Sequence, residues 1–258
     1  MSLRRSMVAL LFAAVFLSAS AAFAQDLTVA AASDLQAALP AVAAQFEKDT
    51  GHKITLTFGS SGNFYTQIQH GAPFDVFMSA DIDYPKRLEQ EGLAERLYEY
   101  ATGHIVLWTR KDSGIDLKGG LAVLADPKVR KIAIANPAHA PYGRAAVAAL
   151  RHERLYERVS AKFVLGENIS QTAQFAQSGN ADVGIVALSL ALGPALTAAG
   201  TYVEIPPAFH PPIEQAAVVV TKSARRDLAR QFVDALKQPA VVKLLRQYGF
   251  ATGQTAIR

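Results

Sequence analysis

The chain has 258 residues, half of them hydrophobic and 19% charged, with a formal net charge of +4 and no cysteine. That length can bury one large core or two smaller ones, and the core alone must provide stability because no disulfide can form. The charge is close to neutral and shows no basic run interleaved with aromatics, which argues against nucleic acid as a partner. None of the six histidines has H-x-x-H or H-E-x-x-H spacing, and without cysteine ligands a zinc site is not expected.

Residues 1–24, MSLRRSMVALLFAAVFLSASAAFA, combine Arg4 and Arg5 with a short apolar run and the A-x-A sequence Ala22-Phe23-Ala24. This is the pattern of a cleaved secretory signal peptide. A membrane anchor is the competing reading, and the run is too short and too interrupted by Ser18 and Ser20 to favour it. The mature chain then starts at Gln25 or Asp26, and loss of the two arginines lowers its charge to +2. With no cysteine to carry a lipid, a soluble monomer in the periplasm is expected.

In chain order, LTVAAA (27–32) reads as a strand and DLQAALPAVAAQFEKDTG (34–51) as a helix ending near Gly51. KITLTFG (53–59) is a strand, SGNFYTQIQHG (61–71) a helix, and FDVFMSA (74–80) a buried strand followed by DIDYPKRLEQEG. HIVLWTR, KIAIAN, KFVLGE and VGIVALS are further strands, with helices around 143–152, 170–178 and 189–199. AAVVVTK (216–222) is a late strand, and residues 224–249 close the chain with helices. Strand–helix alternation on this scale predicts an α/β fold with mainly parallel sheets. Phe74, Phe77, Trp108 and Phe175 read as core.

Signals for an enzyme are poor. GSSGN is not a G-x-S-x-G nucleophile elbow, because its second glycine comes one residue early. There is no Walker A loop and no G-x-G-x-x-G, and Asp81 and Asp83 read as helix-start or surface charges.

Four strand-to-helix junctions share one pattern. AAASDLQAAL sets Ser33 at an N-cap with Gln36 three residues on, and FGSSGNF sets Ser60 and Ser61 at the next helix start. NPAHAPYGRAA puts Pro141 at a first helical position with the Tyr142 N–H behind it, and GENISQTAQ makes Asn168 a cap that leaves the Ile169 N–H free. Each junction alone is more readily an ordinary cap than a ligand site. Four together, with no Lys or Arg at the tips, suit an anion held by dipoles and hydrogen bonds outside the carboxyl ends of strands. Asp34 is expected to turn its side chain outward at its helix start, away from such an anion, and His139 is the one histidine placed in a site loop.

AAASDL, the FGSSG turn, GAPFDVFMSAD (71–81), NPAHAPYG and RQYGF (246–250) resemble the periplasmic molybdate-binding proteins of ABC transporters, along essentially the whole mature chain. The resemblance implies a two-lobed α/β periplasmic-binding-protein fold of type II, with the lobes joined by a two-strand hinge. Residues 25–102 plus 216–258 would form lobe 1 and residues 103–215 lobe 2. A tetrahedral oxyanion, molybdate or tungstate, would sit between them and be handed to an inner-membrane ABC permease, with no cofactor. Carried over, the contacts fall on Ser33 and Ser61 from lobe 1 and on the N–H groups of Tyr142 and Ile169 from lobe 2. Ser60 and the Asp34 backbone are additional candidates. These groups touch oxygens of the anion, and none ligates a metal directly. Because the Tyr142 contact is assigned to its main-chain N–H, its phenol is expected to be dispensable.

Some members place a tyrosine in the G-I-V-Tyr stretch with its hydroxyl on the anion, where this chain has Ala187. Ser60, the Tyr142 hydroxyl, Ser189 and an ordered water are the candidates to replace it, with Ser60 or a backbone N–H beside Asp34 preferred. A receptor for sulfate or phosphate is the competing reading within the same class. An enzyme on the same bilobal fold and the sensing domain of a transcription regulator are more distant ones.

Overall fold

The structure, a computed structural model, describes residues 26–253, so the leader expected over residues 1–24 lies outside the described residues. The chain begins with β1 (Leu27–Ala32), a 3-10 turn (Ser33–Ala37), α1 (Leu39–Thr50), β2 (Ile54–Gly59), α2 (Ser61–Gln69), β3 (Val76–Ser79) and α3 (Asp83–Gln90). A long strand β4 (Ala94–Gly103) leads into β5 (Ile105–Arg110), β6 (Ile132–Ala135), α4 (Pro141–His152), α5 (Tyr156–Val159) and β7 (Phe163–Gly166). Then come α6 (Ile169–Ser178), β8 (Val183–Ala187), α7 (Leu188–Ala191), α8 (Pro194–Ala199), β9 (Gly200–Glu204), β10 (Ile213–Val220), α9 (Arg226–Ala235) and α10 (Pro239–Gln247).

The strands form two five-stranded sheets of matching plan, in the orders β2-β1-β3-β10-β4 and β7-β6-β8-β5-β9. In the first, β1 is parallel to β2 and β3, while β10 runs antiparallel to β3 and β4. In the second, β6 is parallel to β7 and β8, and β5 is antiparallel to β8 and β9. The architecture is the two-lobed α/β fold expected, but the sheets are mixed rather than mainly parallel, because β10 and β5 each run antiparallel to both of their neighbours. The chain passes between sheets at His104 and again over residues 205–212. Pairing of Ile213 with Gly103 and of Gln215 with Ala101 joins the two passages side by side.

Two departures have a local cause. The single helix expected over 34–51 breaks at Ala38, because Pro40 lacks the N–H that a continuous helix would need there. The helix expected over 189–199 breaks in the same way at Gly193-Pro194. Two strands were not anticipated, β4 and β9, both at sheet edges and partly exposed. Their Glu, Arg and Thr residues hide the strand pattern that buried strands show.

The first sheet is covered on one face by α1, α9 and α10 and on the other by α2 and α3. Trp108 and Phe77 are fully buried as expected, whereas Phe74 and Phe175 are only half-buried. Ala32 and Ala80, from the first sheet's strand ends, pack into the cluster built on the second sheet, with Ala140, Tyr142 and Ile169. The lobes are therefore in contact, and the cleft between them is closed.

Candidate functional site

Ser33, Asp34, Ser60, Ser61, Tyr142 and Ile169 all line one small cavity where the two lobes meet, together with Gly59, Pro141 and three alanines. Each sits at the start of a helix or 3-10 turn that follows directly on a β-strand or its loop. Ser33, Ser61 and Ile169 are first helical residues and Tyr142 is second, after Pro141. N–H groups at these positions have no acceptor within their own helix. Four helix starts thus direct partial positive charge toward one space, and no Lys, Arg or His lines it.

The Ser33 and Ser60 side chains are held by contacts across the cleft, and Ser61 by one within its own lobe. Ser33 Oγ donates to Asn168 Oδ1 at 3.2 Å and accepts from the Ser170 N–H at 3.3 Å. Ser60 Oγ donates to the His139 carbonyl at 2.7 Å and lies 2.9 Å from His139 Nδ1. The same carbonyl accepts from the Gly62 N–H at 3.0 Å. Ser61 Oγ accepts from the Ala80 N–H at 2.9 Å, which leaves its own proton free to donate into the cavity. Outside the cavity, Arg144 of α4 engages Asp81 and donates to the Tyr84 hydroxyl at 3.3 Å.

Asp34 is completely buried. Its Oδ2 accepts from the Tyr142 hydroxyl at 2.9 Å and from Gln215 Nε2 at 2.7 Å, while Oδ1 has no hydrogen-bond partner. Gln215 Nε2 also donates to the Tyr142 hydroxyl at 3.0 Å, and Gln215 Oε1 accepts from the Tyr100 hydroxyl at 2.8 Å. Burial pushes the Asp34 carboxyl up from 3.8 to about 6; donors from Gln215, Tyr142 and the backbone of Asp34 and Leu35 pull the other way. The Tyr142 and Tyr100 phenols are raised well above their usual value, first by burial and then by the nearby carboxylate.

A larger groove opens beside this cavity, lined by Asp81, Asp83, Glu214 and Arg144. Its surplus of carboxylates does not suit an anion, whereas the helix starts do. Among the described residues no cluster of three or more His, Asp or Glu could hold a metal ion, and no helix is long and apolar enough to cross a membrane.

A family model described as bacterial extracellular solute-binding protein matches residues 27–251. The molybdate-binding protein ModA of Azotobacter vinelandii is 42% identical over 251 residues, covering 96% of this chain and 98% of that one. ModA of Rhodobacter capsulatus is 39% identical over 90% of both chains. The solved periplasmic molybdate-binding protein of Azotobacter vinelandii superimposes with a TM-score of 0.83 at 36% identity, over 88% of this chain and all of that one. The chain belongs to the bacterial extracellular solute-binding proteins and is of the ModA type.

For this solute-binding protein, two local expectations need correction. Asp34 does not turn outward; Tyr142 and Gln215 draw its carboxyl inward between the lobes. Ser33 does not cap its own turn, for which no side-chain cap bond forms, but instead bridges to α6 of the other lobe. Gln36 likewise accepts from Ser170 Oγ across the cleft. Asn168 does cap α6, accepting from the Gln171 N–H at 2.9 Å. Of the candidates to replace the missing tyrosine hydroxyl, Ser60 Oγ donates to the His139 carbonyl at 2.7 Å and Ser189 Oγ to the Asp34 carbonyl at 2.7 Å. Gln215 is the residue that sequence reading missed. Its signal was faint, an uncharged polar residue at the start of an otherwise apolar strand run.

Proposed function

We propose that this chain binds molybdate, and with it tungstate, in the periplasm and delivers the anion to an inner-membrane ABC permease. It acts as a monomer and as a carrier rather than an enzyme. The observation that carries this reading is the convergence of Ser33, Ser61, Tyr142 and Ile169, all at helix starts, on one cavity without cationic side chains. The molybdate-binding relatives support the choice of anion. Ser61 supplies hydroxyl and N–H donors, Ser33 its N–H and a hydroxyl whose proton must turn to the anion from Asn168, and Tyr142 and Ile169 supply N–H donors from the facing lobe. Ser60 and the Asp34 backbone complete the ring. We take lobe 1 as residues 25–102 and 216–258 and lobe 2 as 103–215, moving about the paired segments of β4 and β10.

Mechanistically, the anion bridges two lobes that otherwise have fewer cross-contacts, and closure follows from its higher affinity for the closed state. Selection against smaller oxyanions comes from buried donors that a smaller ion leaves unpaired. One observation favours a second reading: a carboxyl, Asp34, borders the cavity and could accept the proton of hydrogen phosphate. Titration calorimetry of the mature chain against molybdate, tungstate, sulfate and phosphate separates the two. Submicromolar one-to-one binding of molybdate, not displaced by millimolar sulfate or phosphate, is the expected result; preference for phosphate would overturn it.

A further inference from the structure

Asp34 is the only charged residue among those lining the anion cavity. Both side-chain groups that bond it, the Tyr142 hydroxyl and the Gln215 amide, are neutral; the backbone N–H groups of Asp34 and Leu35 act on the carboxyl from nearby, but its buried Oδ1 has no partner within hydrogen-bond geometry. The cation nearest along α4, Arg144, is engaged by Asp81. A carboxylate and a doubly charged oxyanion in one enclosed cavity repel each other, and exclusion of water strengthens that repulsion. Helix dipoles offset part of it, but they act on the anion and on Asp34 alike. What removes the conflict is a proton.

We propose that this site takes up its oxyanion together with one proton, drawn from solvent and held on the Asp34 carboxyl at Oδ1. The inference rests on the oxyanion reading of the cavity given above. Oδ2 keeps its two donated bonds from Tyr142 and Gln215, and protonation turns the unpartnered Oδ1 from an acceptor into a donor. A buried acid facing an anion is thereby converted into one more neutral donor, in keeping with the hydroxyls and amides around it.

The surroundings leave few other groups to take that proton. The titratable groups acting on Asp34 are the phenols of Tyr142 from α4 and Tyr100 from β4, both held un-ionised. The strands β1 and β2 and the helices α6 and α7 carry no charged residue, and the charges of α1 lie at its far end. Glu214 and Glu99 adjoin Gln215 and Tyr100 along their strands and so point to the opposite face. His139 meets Ser60 at the cavity's rim and lies 3.5 Å from the Glu167 carboxylate. Burial already moves the Asp34 carboxyl up to about 6, and an added negative charge moves it further in the same direction.

The test is calorimetry of the mature chain with sodium molybdate near neutral pH, in two buffers of different ionisation enthalpy. Uptake of about one proton per anion is expected, with affinity falling by up to roughly tenfold per pH unit above neutrality. Asp34→Asn, which presents a fixed amide donor in place of the protonated oxygen, is expected to take up no proton and to lose the pH dependence of whatever affinity it keeps. Molybdate binding by the wild type without proton uptake would overturn the inference and leave the oxyanion reading standing. So would proton uptake that persists in Asp34→Asn, which would assign the proton to His139. If neither molybdate nor any other oxyanion binds, the reading of the site fails and the inference fails with it. The wild-type measurement decides even if the variant does not fold.

Discussion

The Tyr142 hydroxyl of one lobe donates to the Asp34 carboxylate of the other across 2.9 Å, in a contact sealed from solvent. This bond ties the lobes together at the wall of the anion cavity, and it changes what Tyr142→Phe should do. Sequence reasoning assigns the anion contact to the Tyr142 N–H and leaves the phenol dispensable. In the structure the phenol is a donor to a buried acid, and leaving one partner of such a buried bond unpaired costs about 1–3 kcal/mol. Tyr142→Phe is therefore expected to weaken molybdate binding by roughly ten- to a hundredfold, measured by calorimetry. Unchanged affinity would show that closure does not depend on this bond.

Ser61 is expected to matter both for binding and for stability. Its hydroxyl accepts from the Ala80 N–H and keeps a proton to give to an anion oxygen. Ser61→Ala should lower affinity by about ten- to a hundredfold and destabilise the ligand-free protein by about 1–3 kcal/mol, the range for a buried N–H left unpaired. Calorimetry and thermal melting read the two effects separately. A variant that melts lower but binds normally would reduce Ser61 to a structural role.

Gly62 tests the closed arrangement itself. A Cβ there would come within 2.7 Å of the His139 carbonyl on the opposite lobe and 2.8 Å of the Tyr84 hydroxyl on its own, which can swing aside, while within its own helix alanine is the better helix former. Gly62→Ala should change the ligand-free melting temperature little while reducing affinity at least tenfold. Small-angle scattering should show the variant failing to contract on addition of molybdate. Normal affinity would mean that the lobes do not need to meet this closely.

The Asp81–Arg144 pair is a partly exposed link between the lobes, with side chains 23% and 39% accessible. At that exposure an ion pair contributes about 1 kcal/mol or less. Arg144→Ala should cost no more than a few-fold in affinity, and raising the salt concentration should shrink the difference from wild type. A loss of a hundredfold would place Arg144 in the binding site rather than beside it.

Asp34 also predicts how stability depends on pH. Its carboxyl rises from 3.8 to about 6 in the folded protein, so the folded state holds a proton more tightly than the unfolded chain. Stability from this group is greatest below pH 4 and is lost as pH rises through about 6, up to roughly 3 kcal/mol for a shift of this size. Asp34→Asn should therefore melt higher than wild type at pH 8 and nearly the same at acid pH. Equal melting at both pH values would show that the buried carboxylate costs nothing.

The strand–helix order apart from β4 and β9, the helix starts at Ser61, Pro141 and Ile169, and the Asn168 cap were legible in the sequence by itself. Each depends on residues within a few positions: glycine or serine at a turn, proline at a first helical position, an asparagine whose carbonyl reaches three residues on. The membership of Ser33, Ser60 and Asp34 in one cavity was also legible, because ligands gather where strand ends and helix starts converge. What Ser33, Ser60 and Asp34 do with their side chains was decided only by the tertiary structure. Their partners are Asn168, His139, Tyr142 and Gln215, the last 181 positions from Asp34, and no local pattern encodes which hydroxyl meets which acceptor when two lobes close. A lone aspartate at a helix start has water as its best partner. Enclosed between two lobes it has only the donors that the fold brings to it, and that exchange of water for Tyr142 and Gln215 turns a surface charge into a buried acid.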